Sequence, residues 1–269
     1  MPRANRHFVP GHIWHITHRC HNKAFLLEHR EDRRLWLNWL QKARNRYGLP
    51  ILDYTVTCNH IHLLVQDPGR PLSIARSMQL VQGRTAQIYN QRKERQSAFW
   101  GDRYHATAVE RGPHLLRCLA YIDLNMVRAG IVQEPGQWKE SGFREIQMDR
   151  PRSPVIDLHR LAGLVDATDL DMLRQKHETA LHEALERDGT RRDNRWTESL
   201  AIGSEEFVDN FASALRARRE RGEKPSQGPM PASVLREPKN VSYGDSDSAA
   251  LTGDNTFEFR VKTGVWEDT

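Results

Sequence analysis

The chain has 269 residues, of which 38% are hydrophobic and 28% are charged, with a net charge of +5, so any core must lie beneath a very polar surface. No apolar run approaches the ~20 residues that span a bilayer, and the N-terminus lacks the apolar stretch of a signal peptide, so we expect a cytoplasmic protein. The three cysteines, Cys20, Cys58 and Cys118, are scattered without a CxxC pair, which argues against a disulfide framework or a cysteine zinc site.

The first 145 residues are predicted to alternate between strands and helices. Strands are indicated where apolar and polar side chains alternate or where Thr, Val and Tyr cluster, and helices where apolar residues recur at helical spacing. The predicted strands are residues 11–20, 51–58, 60–66 and 103–110. The predicted helices are residues 29–47, 71–90 and 113–130, and Gly48 and Gly130 end the first and last of them.

This order predicts an α+β fold of the ferredoxin-like type, in which a split βαβ arrangement forms an antiparallel sheet with helices on one face. We expect the other face of the sheet to stay free for a ligand. The predicted domain covers residues 1–145. A mostly helical C-terminal extension is predicted over residues 146–222, and a flexible tail rich in Pro, Gly and Ser, with a short candidate docking strand at 257–261, over residues 223–269.

The positive charge is concentrated in the first part of the chain. Residues 1–150 carry 23 Lys and Arg against 13 Asp and Glu, a balance of +10, whereas residues 151–269 carry 17 against 22, a balance of −5. Ten of the 13 histidines also precede residue 151. Such a composition is typical of a protein that binds a polyanion, most simply a nucleic acid, although an ordinary solvated basic surface gives the same balance.

Two histidines on the third predicted strand form the first candidate site. In the sequence His60-Ile61-His62, the two imidazoles project from the same side of the strand, because side chains two residues apart share a face. Two neutral imidazoles at this spacing can ligate one divalent metal ion. Histidines two residues apart also occur by chance on protein surfaces, so the pattern alone leaves both interpretations open.

The helix predicted at 113–130 carries the second candidate site. Beside its apolar stripe lies a polar stripe formed by Arg117, Tyr121, Asn125 and Arg128. A tyrosine can attack a phosphodiester and hold the cut end as a phosphotyrosine. The amide oxygen of Asn125 could join the two histidines around Mg²⁺ or Mn²⁺, for which oxygen and imidazole ligands are better suited than a closed structural zinc site. A helix with a solvated edge would show the same stripe.

Together these segments resemble a known family. Residues 54–65 (YTVTCNHIHLLV) and 121–130 (YIDLNMVRAG), with residues 15–22 (HITHRCHN) and 99–104 (FWGDRY), resemble the REP-associated tyrosine transposases, which are IS200-like single-tyrosine transposases of the HUH superfamily. The resemblance covers about residues 7–145. Residues 196–207 also resemble a segment in the C-terminal extension of some members.

The resemblance implies a metal-dependent endonuclease and strand transferase that cuts and rejoins single-stranded or hairpin-forming DNA through a covalent 5′-phosphotyrosine. It implies Tyr121 as the nucleophile, and His60, His62 and Asn125 as ligands of Mg²⁺ or Mn²⁺. The arginines that we expect to contact DNA are Arg19, Arg103, Arg117 and Arg128. The expected substrate resembles a repetitive extragenic palindrome, and the expected location is the bacterial nucleoid.

The sequence departs from the family pattern where proline usually follows the asparagine, where histidine is frequent two residues after the tyrosine, and where glycine is common at position 20. Those positions hold Met126, Asp123 and Cys20.

The alternative function is a catalytically silent DNA- or RNA-binding module that retains the fold. A zinc protein is a third interpretation, but no HExxH or Cys/His spacing supports it. The sequence leaves open whether the protein is a monomer or a homodimer.

Overall fold

A single β-sheet organises the residues that the computed structural model describes, which are 8–147, 154–188, 191–220 and 235–236. Its strands are β1 (Ile13–Arg19), β2 (Ile51–Val56), β3 (His60–Gln66), β4 (His105–Val109), β5 (Ser199–Ile202) and β6 (Leu235–Arg236). They lie in the order β2-β3-β1-β4-β5-β6. The first four strands pair antiparallel, whereas β5 runs parallel to β4, so the sheet is mixed.

The first four strands confirm the predicted ferredoxin-like fold. Helix α1 (Arg30–Tyr47) connects β1 to β2, and helix α2 (Ser73–Arg92) connects β3 to β4. The two helices pack against each other. Trp100 stacks on His18 of β1 and donates its indole N–H to the carbonyl of Gln82, which places α2 on the face of the sheet that carries His18.

The opposite face of the sheet carries the polar side chains. The strand register pairs His15 with Leu64 and Thr107, and Arg19 with His60, so these side chains share one face because directly paired residues of antiparallel strands point to the same side. Thr17 and His62 form the pair between them. The predicted histidines therefore lie on the face away from α2.

The expectation that this second face is free for a ligand is wrong. The segments that follow β4 are α3 (Pro113–Asp123), α4 (Asn125–Arg128), α5 (Phe143–Gln147), α6 (Leu158–Leu164), α7 (Leu170–Asp188), α8 (Arg195–Glu198) and α9 (Glu205–Glu220). Helix α3 packs on β2 and β4 and is itself covered by α7, while α8 packs on β4. His15, His62 and Thr107 are consequently buried. The apolar stripe of α3 and the apolar side chains of the extension are buried together with the sheet, which covers this face at His15, His62 and Thr107. Arg19 and His60, at the end of the same face, remain half-buried.

The single helix predicted over 113–130 is interrupted. The backbone of Leu124, with φ −77° and ψ 2°, separates α3 from α4, and Gly130 follows in a left-handed conformation, as expected for a residue that ends a helix. The extension contributes β5, which the sequence did not predict, to the same sheet as the first four strands. The candidate strand at 257–261 lies outside the described residues. None of the described helices is long and apolar enough to cross a membrane.

Candidate active site

His60 and His62 lie side by side on β3, with their ring centroids 5.0 Å apart. The Nδ1 atom of His60 lies 2.7 Å from Oδ1 of Asn59 and 2.8 Å from Oγ1 of Thr57. An amide oxygen can only accept, so Nδ1 of His60 carries the hydrogen and Nε2 keeps its lone pair. Burial, together with the charges of Arg19 and Arg192, lowers the pKa of His60 to about 3, so the ring is neutral near pH 7.

Both ring nitrogens of His62 have partners. Nδ1 lies 2.8 Å from Nε2 of His15, and Nε2 lies 3.0 Å from Nδ2 of Asn125. Burial, followed by the charges of His60 and His15, lowers the pKa of His62 well below its usual range. His62 is therefore neutral, which is the state in which an imidazole can bind a metal ion.

Asn125 reaches the histidines from the start of α4. Its amide contacts His62 even though Met126 stands where the family usually has proline, and Met126 itself is buried. Because Tyr121 belongs to α3 and Asn125 to α4, the break at Leu124 lies between the two functional candidates. The structure thus brings Asn125 to His62 and places Tyr121 one turn earlier, beside the same histidine.

Tyr121 is held between the histidines and the C-terminal extension. Its ring lies edge-on to His62 and His15, with centroids 5.7 and 6.0 Å away, and it stacks at 5.8 Å on the indole of Trp196. The guanidinium of Arg128 lies 4.4 Å from the centroid of the phenol ring. Only 6% of the tyrosine surface is exposed, so at Tyr121 the alternative of a solvated helix edge does not hold and the side chain makes a buried contact.

Positive charges act on the phenol of Tyr121. Burial raises its pKa, whereas the charges of Arg128 and Arg192 and hydrogen bonding with Arg192 lower it. Arg19 is half-buried, and its charge interacts with Tyr121. The cations near the nucleophile candidate therefore come from β1, from α4 and from the extension.

The four arginines predicted to contact DNA do not form one group. Arg19 and Arg128 lie at the phenol. Arg117 is exposed on α3, where its charge acts on His114, and Arg103 is exposed ahead of β4. The polar stripe is therefore divided, because the side of the helix that carries Tyr121 faces the sheet and the position of Arg117 faces solvent.

Three residues at the site were not among the predicted functional residues: His15, Arg192 and Trp196. The alternation of residues 11–20 placed His15 on one face of a strand but gave it no partner. Arg192 and Trp196 come from the extension, and the sequence contains no local signal that brings them back to the first strand. Their proximity to Tyr121 results from the pairing of β5 with β4.

The donor atoms fit a divalent metal only if Asn125 is included. Within the described part of the chain, no three His, Cys, Asp or Glu side chains are grouped so that they could hold a metal ion. Two neutral imidazoles and the side-chain oxygen of Asn125 match the donor chemistry predicted for Mg²⁺ or Mn²⁺. The free lone pair on Nε2 of His60 supports the same assignment, because its Nδ1 is occupied by Asn59 and Thr57.

Two buried carboxyl groups, Asp123 at the end of α3 and Asp53 in β2, interact with each other below the position of Tyr121. Oδ2 of Asp123 lies 2.9 Å from Nε2 of His177 in α7, and both side chains are fully buried. Oδ1 of Asp53 in β2 accepts the backbone N–H of Tyr54 at 2.7 Å. Burial, and then the charge of Asp123, raises the pKa of Asp53 well above its usual range. Asp123 therefore joins the helix of Tyr121 to the extension, at the position where the family frequently has histidine.

Comparison with known proteins finds one family model and two solved structures that resemble this chain. Residues 8–125 match the protein family described as "Transposase IS200 like". No curated protein sequence matches the chain. Among solved structures, a REP-associated tyrosine transposase bound to a REP hairpin is 17% identical, with a TM-score of 0.46, over 54% of this chain and 84% of that chain. A putative transposase from Deinococcus radiodurans R1 is 16% identical, with a TM-score of 0.32, over 49% and 93%.

Proposed function

Because residues 8–125 place this chain in the family of IS200-like transposases, we propose that it is a DNA endonuclease and strand transferase whose nucleophile is Tyr121. One observation carries the proposal. The phenol ring lies 5.7 Å from the ring of His62, whose Nε2 lies 3.0 Å from the amide of Asn125. A tyrosine, a pair of neutral histidines and a carboxamide thus meet at one place on the sheet.

In the proposed reaction the phenol oxygen of Tyr121 attacks the phosphorus of a phosphodiester in single-stranded DNA. The bond from phosphorus to the 3′ oxygen breaks, a bond from phosphorus to the tyrosine oxygen forms, and the phenol proton ends on the released 3′ hydroxyl. The 5′ end is then held as a phosphotyrosine. Attack by a 3′ hydroxyl reverses these changes and returns the proton to Tyr121, so strands are rejoined without an external energy source.

Side chains around Tyr121 affect the ionisation of the phenol, the binding of the phosphate and the orientation of the ring. Burial raises the pKa of the phenol, which disfavours the phenolate, and the charges of Arg128 and Arg192 oppose that effect. The same guanidinium groups can hold the phosphate, because arginine donors match phosphate oxygens in geometry and charge. The packing of the ring against His15, His62 and Trp196 fixes its orientation, and positioning supplies much of the catalysis in phosphoryl transfer.

A divalent metal ion belongs to the proposal through the family and through the donor atoms present. His60, His62 and Asn125 are the residues that would hold Mg²⁺ or Mn²⁺. When bound, such an ion offsets negative charge that develops on the phosphoryl group. The two histidines meet the ion in their neutral form, because burial lowers both of their pKa values.

The partner that we propose is single-stranded or hairpin-forming DNA of the repetitive extragenic palindrome type. The balance of +10 over residues 1–150 supports a polyanionic partner, and family membership supports DNA. Arg19, Arg128 and Arg192 place positive charge around Tyr121, where a phosphodiester must approach.

The test compares the native chain with Tyr121→Phe, which removes one oxygen and keeps the packed ring. Each protein is incubated with an end-labelled hairpin that carries a single-stranded flank, in the presence of Mn²⁺, and is then analysed by denaturing electrophoresis. The native chain should give a covalent adduct that maps to Tyr121, and the Phe variant should bind DNA but give none. His60→Ala should reduce adduct formation by more than tenfold while the fold is retained.

Matched controls separate the nucleophile from other tyrosines. Tyr104→Phe and Tyr89→Phe should give the same amount of adduct as the native chain. An adduct that persists in Tyr121→Phe would refute the assignment of the nucleophile. DNA binding by the native chain with no adduct would refute the enzyme and leave the alternative of a binding module that retains the fold.

A further inference from the structure

His15 lies directly behind the proposed metal ligand His62, and in the reaction described above its only role is to pack against the ring of Tyr121. It lies in the middle of β1 and is fully buried. Its Nε2 lies 2.8 Å from Nδ1 of His62, and its Nδ1 lies 3.1 Å from the main-chain oxygen of Trp196. The two imidazole rings are nearly parallel, with an interplanar angle of 10°.

The chemistry of these contacts fixes where the hydrogens lie. A carbonyl oxygen only accepts, so Nδ1 of His15 must carry the hydrogen that it donates to Trp196. A neutral imidazole has a single N–H, so Nε2 of His15 is an acceptor, and Nδ1 of His62 must donate to it. Nε2 of His62 is then left with a lone pair.

The contact between His62 and Asn125 is consistent with these hydrogen positions. Nδ2 of Asn125, which can only donate, lies 3.0 Å from Nε2 of His62. The series therefore runs in one direction, from the Asn125 amide through His62 and His15 to the carbonyl of Trp196. The two imidazole rings make hydrogen bonds with each other, with the amide of Asn125 and with the carbonyl of Trp196, and none of these groups carries a charge. A buried charge without a counter-ion is strongly disfavoured, so both imidazoles are neutral.

We propose that His15 and the main-chain carbonyl of Trp196 are positioning groups, which hold His62 in the tautomer whose Nε2 lone pair points toward Asn125. The inference rests on the proposed function, because the metal ion that this lone pair would meet is the one proposed there. Metal-binding histidines commonly donate their second N–H to an acceptor that fixes both tautomer and ring orientation. In this protein the acceptor is a second histidine, which is itself oriented by a carbonyl.

The carbonyl of Trp196 is held in place by the sheet. Oγ1 of Thr107 in β4 lies 3.3 Å from this oxygen and 2.7 Å from the main-chain oxygen of Ser199, which begins β5. Strand β5 pairs with β4 through Ala201 and Ala108. The C-terminal extension therefore supplies the last acceptor in a series that starts at the proposed metal ligands, so the extension contributes to the site on β3.

The experiment reads the tautomer directly. The full chain is labelled with ¹⁵N-histidine, and long-range ¹H–¹⁵N correlation spectra are recorded in the presence of EDTA, with the His62 signals assigned by their loss in His62→Asn. The native chain should show His62 protonated at Nδ1. His15→Phe keeps a ring in the strand but removes the acceptor, so His62 should move toward the tautomer protonated at Nε2. His15→Gln, whose amide oxygen can accept, should retain the native tautomer.

Metal affinity provides the second measurement. Free Mn²⁺ is measured by electron paramagnetic resonance during titration of each protein. His15→Phe should bind Mn²⁺ about 10- to 100-fold more weakly than the native chain, and His15→Gln should recover most of that loss. His18→Phe, a buried histidine on the opposite face of the same strand, is the matched control and should leave both the tautomer and the affinity unchanged.

The outcomes separate the two proposals. A native His62 protonated at Nε2, or a tautomer that His15→Phe leaves unchanged, would overturn the positioning role whatever happens to DNA. If His15→Phe does not fold, the native and Gln spectra still decide the tautomer. A native chain that has the expected tautomer but binds no Mn²⁺ would refute the metal site of the proposed function and, with it, the purpose assigned to His15.

Discussion

The buried carboxyl of Asp53 should make the stability of this protein fall as the pH rises. Burial raises its pKa well above the usual range, and the negative charge of Asp123 raises it further. Burial also raises the pKa of Asp123, but its hydrogen bond with His177 at 2.9 Å and the charge of that histidine oppose the rise, so we assign the retained proton of the pair to Asp53. In the unfolded chain Asp53 returns to an ordinary pKa of about 3.9, so its carboxyl is already ionised at neutral pH.

The sign and size of the effect follow from proton linkage. A raised folded-state pKa gives stability that is complete below the unfolded pKa and is lost as the pH rises toward the folded pKa. For each pH unit between those two values, the free energy of unfolding should fall by about 1.4 kcal/mol from this one group. Asp53→Asn keeps the oxygen that accepts the Tyr54 N–H and has no proton to release. It should therefore gain stability relative to the native chain as the pH increases.

The assay is urea unfolding followed by circular dichroism, at several pH values from about 5 to about 8. The difference in unfolding free energy between Asp53→Asn and the native chain should grow with pH by up to about 1.4 kcal/mol per unit. Asp171→Asn, whose side chain is 91% exposed, is the matched control and should run parallel to the native chain. Parallel curves for Asp53→Asn as well would show that Asp53 is ionised in the folded state and would refute the reasoning.

Two further predictions concern packing and DNA binding. A Cβ at Gly142 would clash with Oδ1 of Asp53, so Gly142→Ala should destabilise the fold by about 1–3 kcal/mol in thermal or urea unfolding. Gly163→Ala is the control, because no atom lies within 4 Å of a Cβ there, and it should be neutral or slightly stabilising. Equal stabilities for the two variants would contradict this packing. Affinity for a hairpin with a single-stranded flank should fall steeply with salt in a fluorescence anisotropy titration. Arg128→Ala should lower that salt slope by about one, and Arg160→Ala, whose partner is Asp157, should leave it unchanged; a slope that Arg128→Ala does not alter would remove this side chain from the DNA contact.

Local periodicity was sufficient to predict the ferredoxin-like order and several details of the site. Alternation along a strand has a fixed period of two, so His60 and His62 had to share a face once β3 was identified. Helical periodicity likewise placed Tyr121 and Asn125 one turn apart, and the structure brings both to His62. These relations depend on residues near each other in the chain, so no knowledge of the folded molecule was needed to infer them.

Tertiary structure decided what surrounds those residues. The sequence predicted an open sheet face and left open whether the polar stripe of the helix was functional or merely solvated. In the structure the stripe faces the sheet at Tyr121 and faces solvent at Arg117. The contacts of His15 with Trp196 and of Asp123 with His177 join segments far apart in sequence. Burial of apolar surface drives such pairing but does not depend on sequence distance, so composition and periodicity could not reveal which distant segment would cover the site.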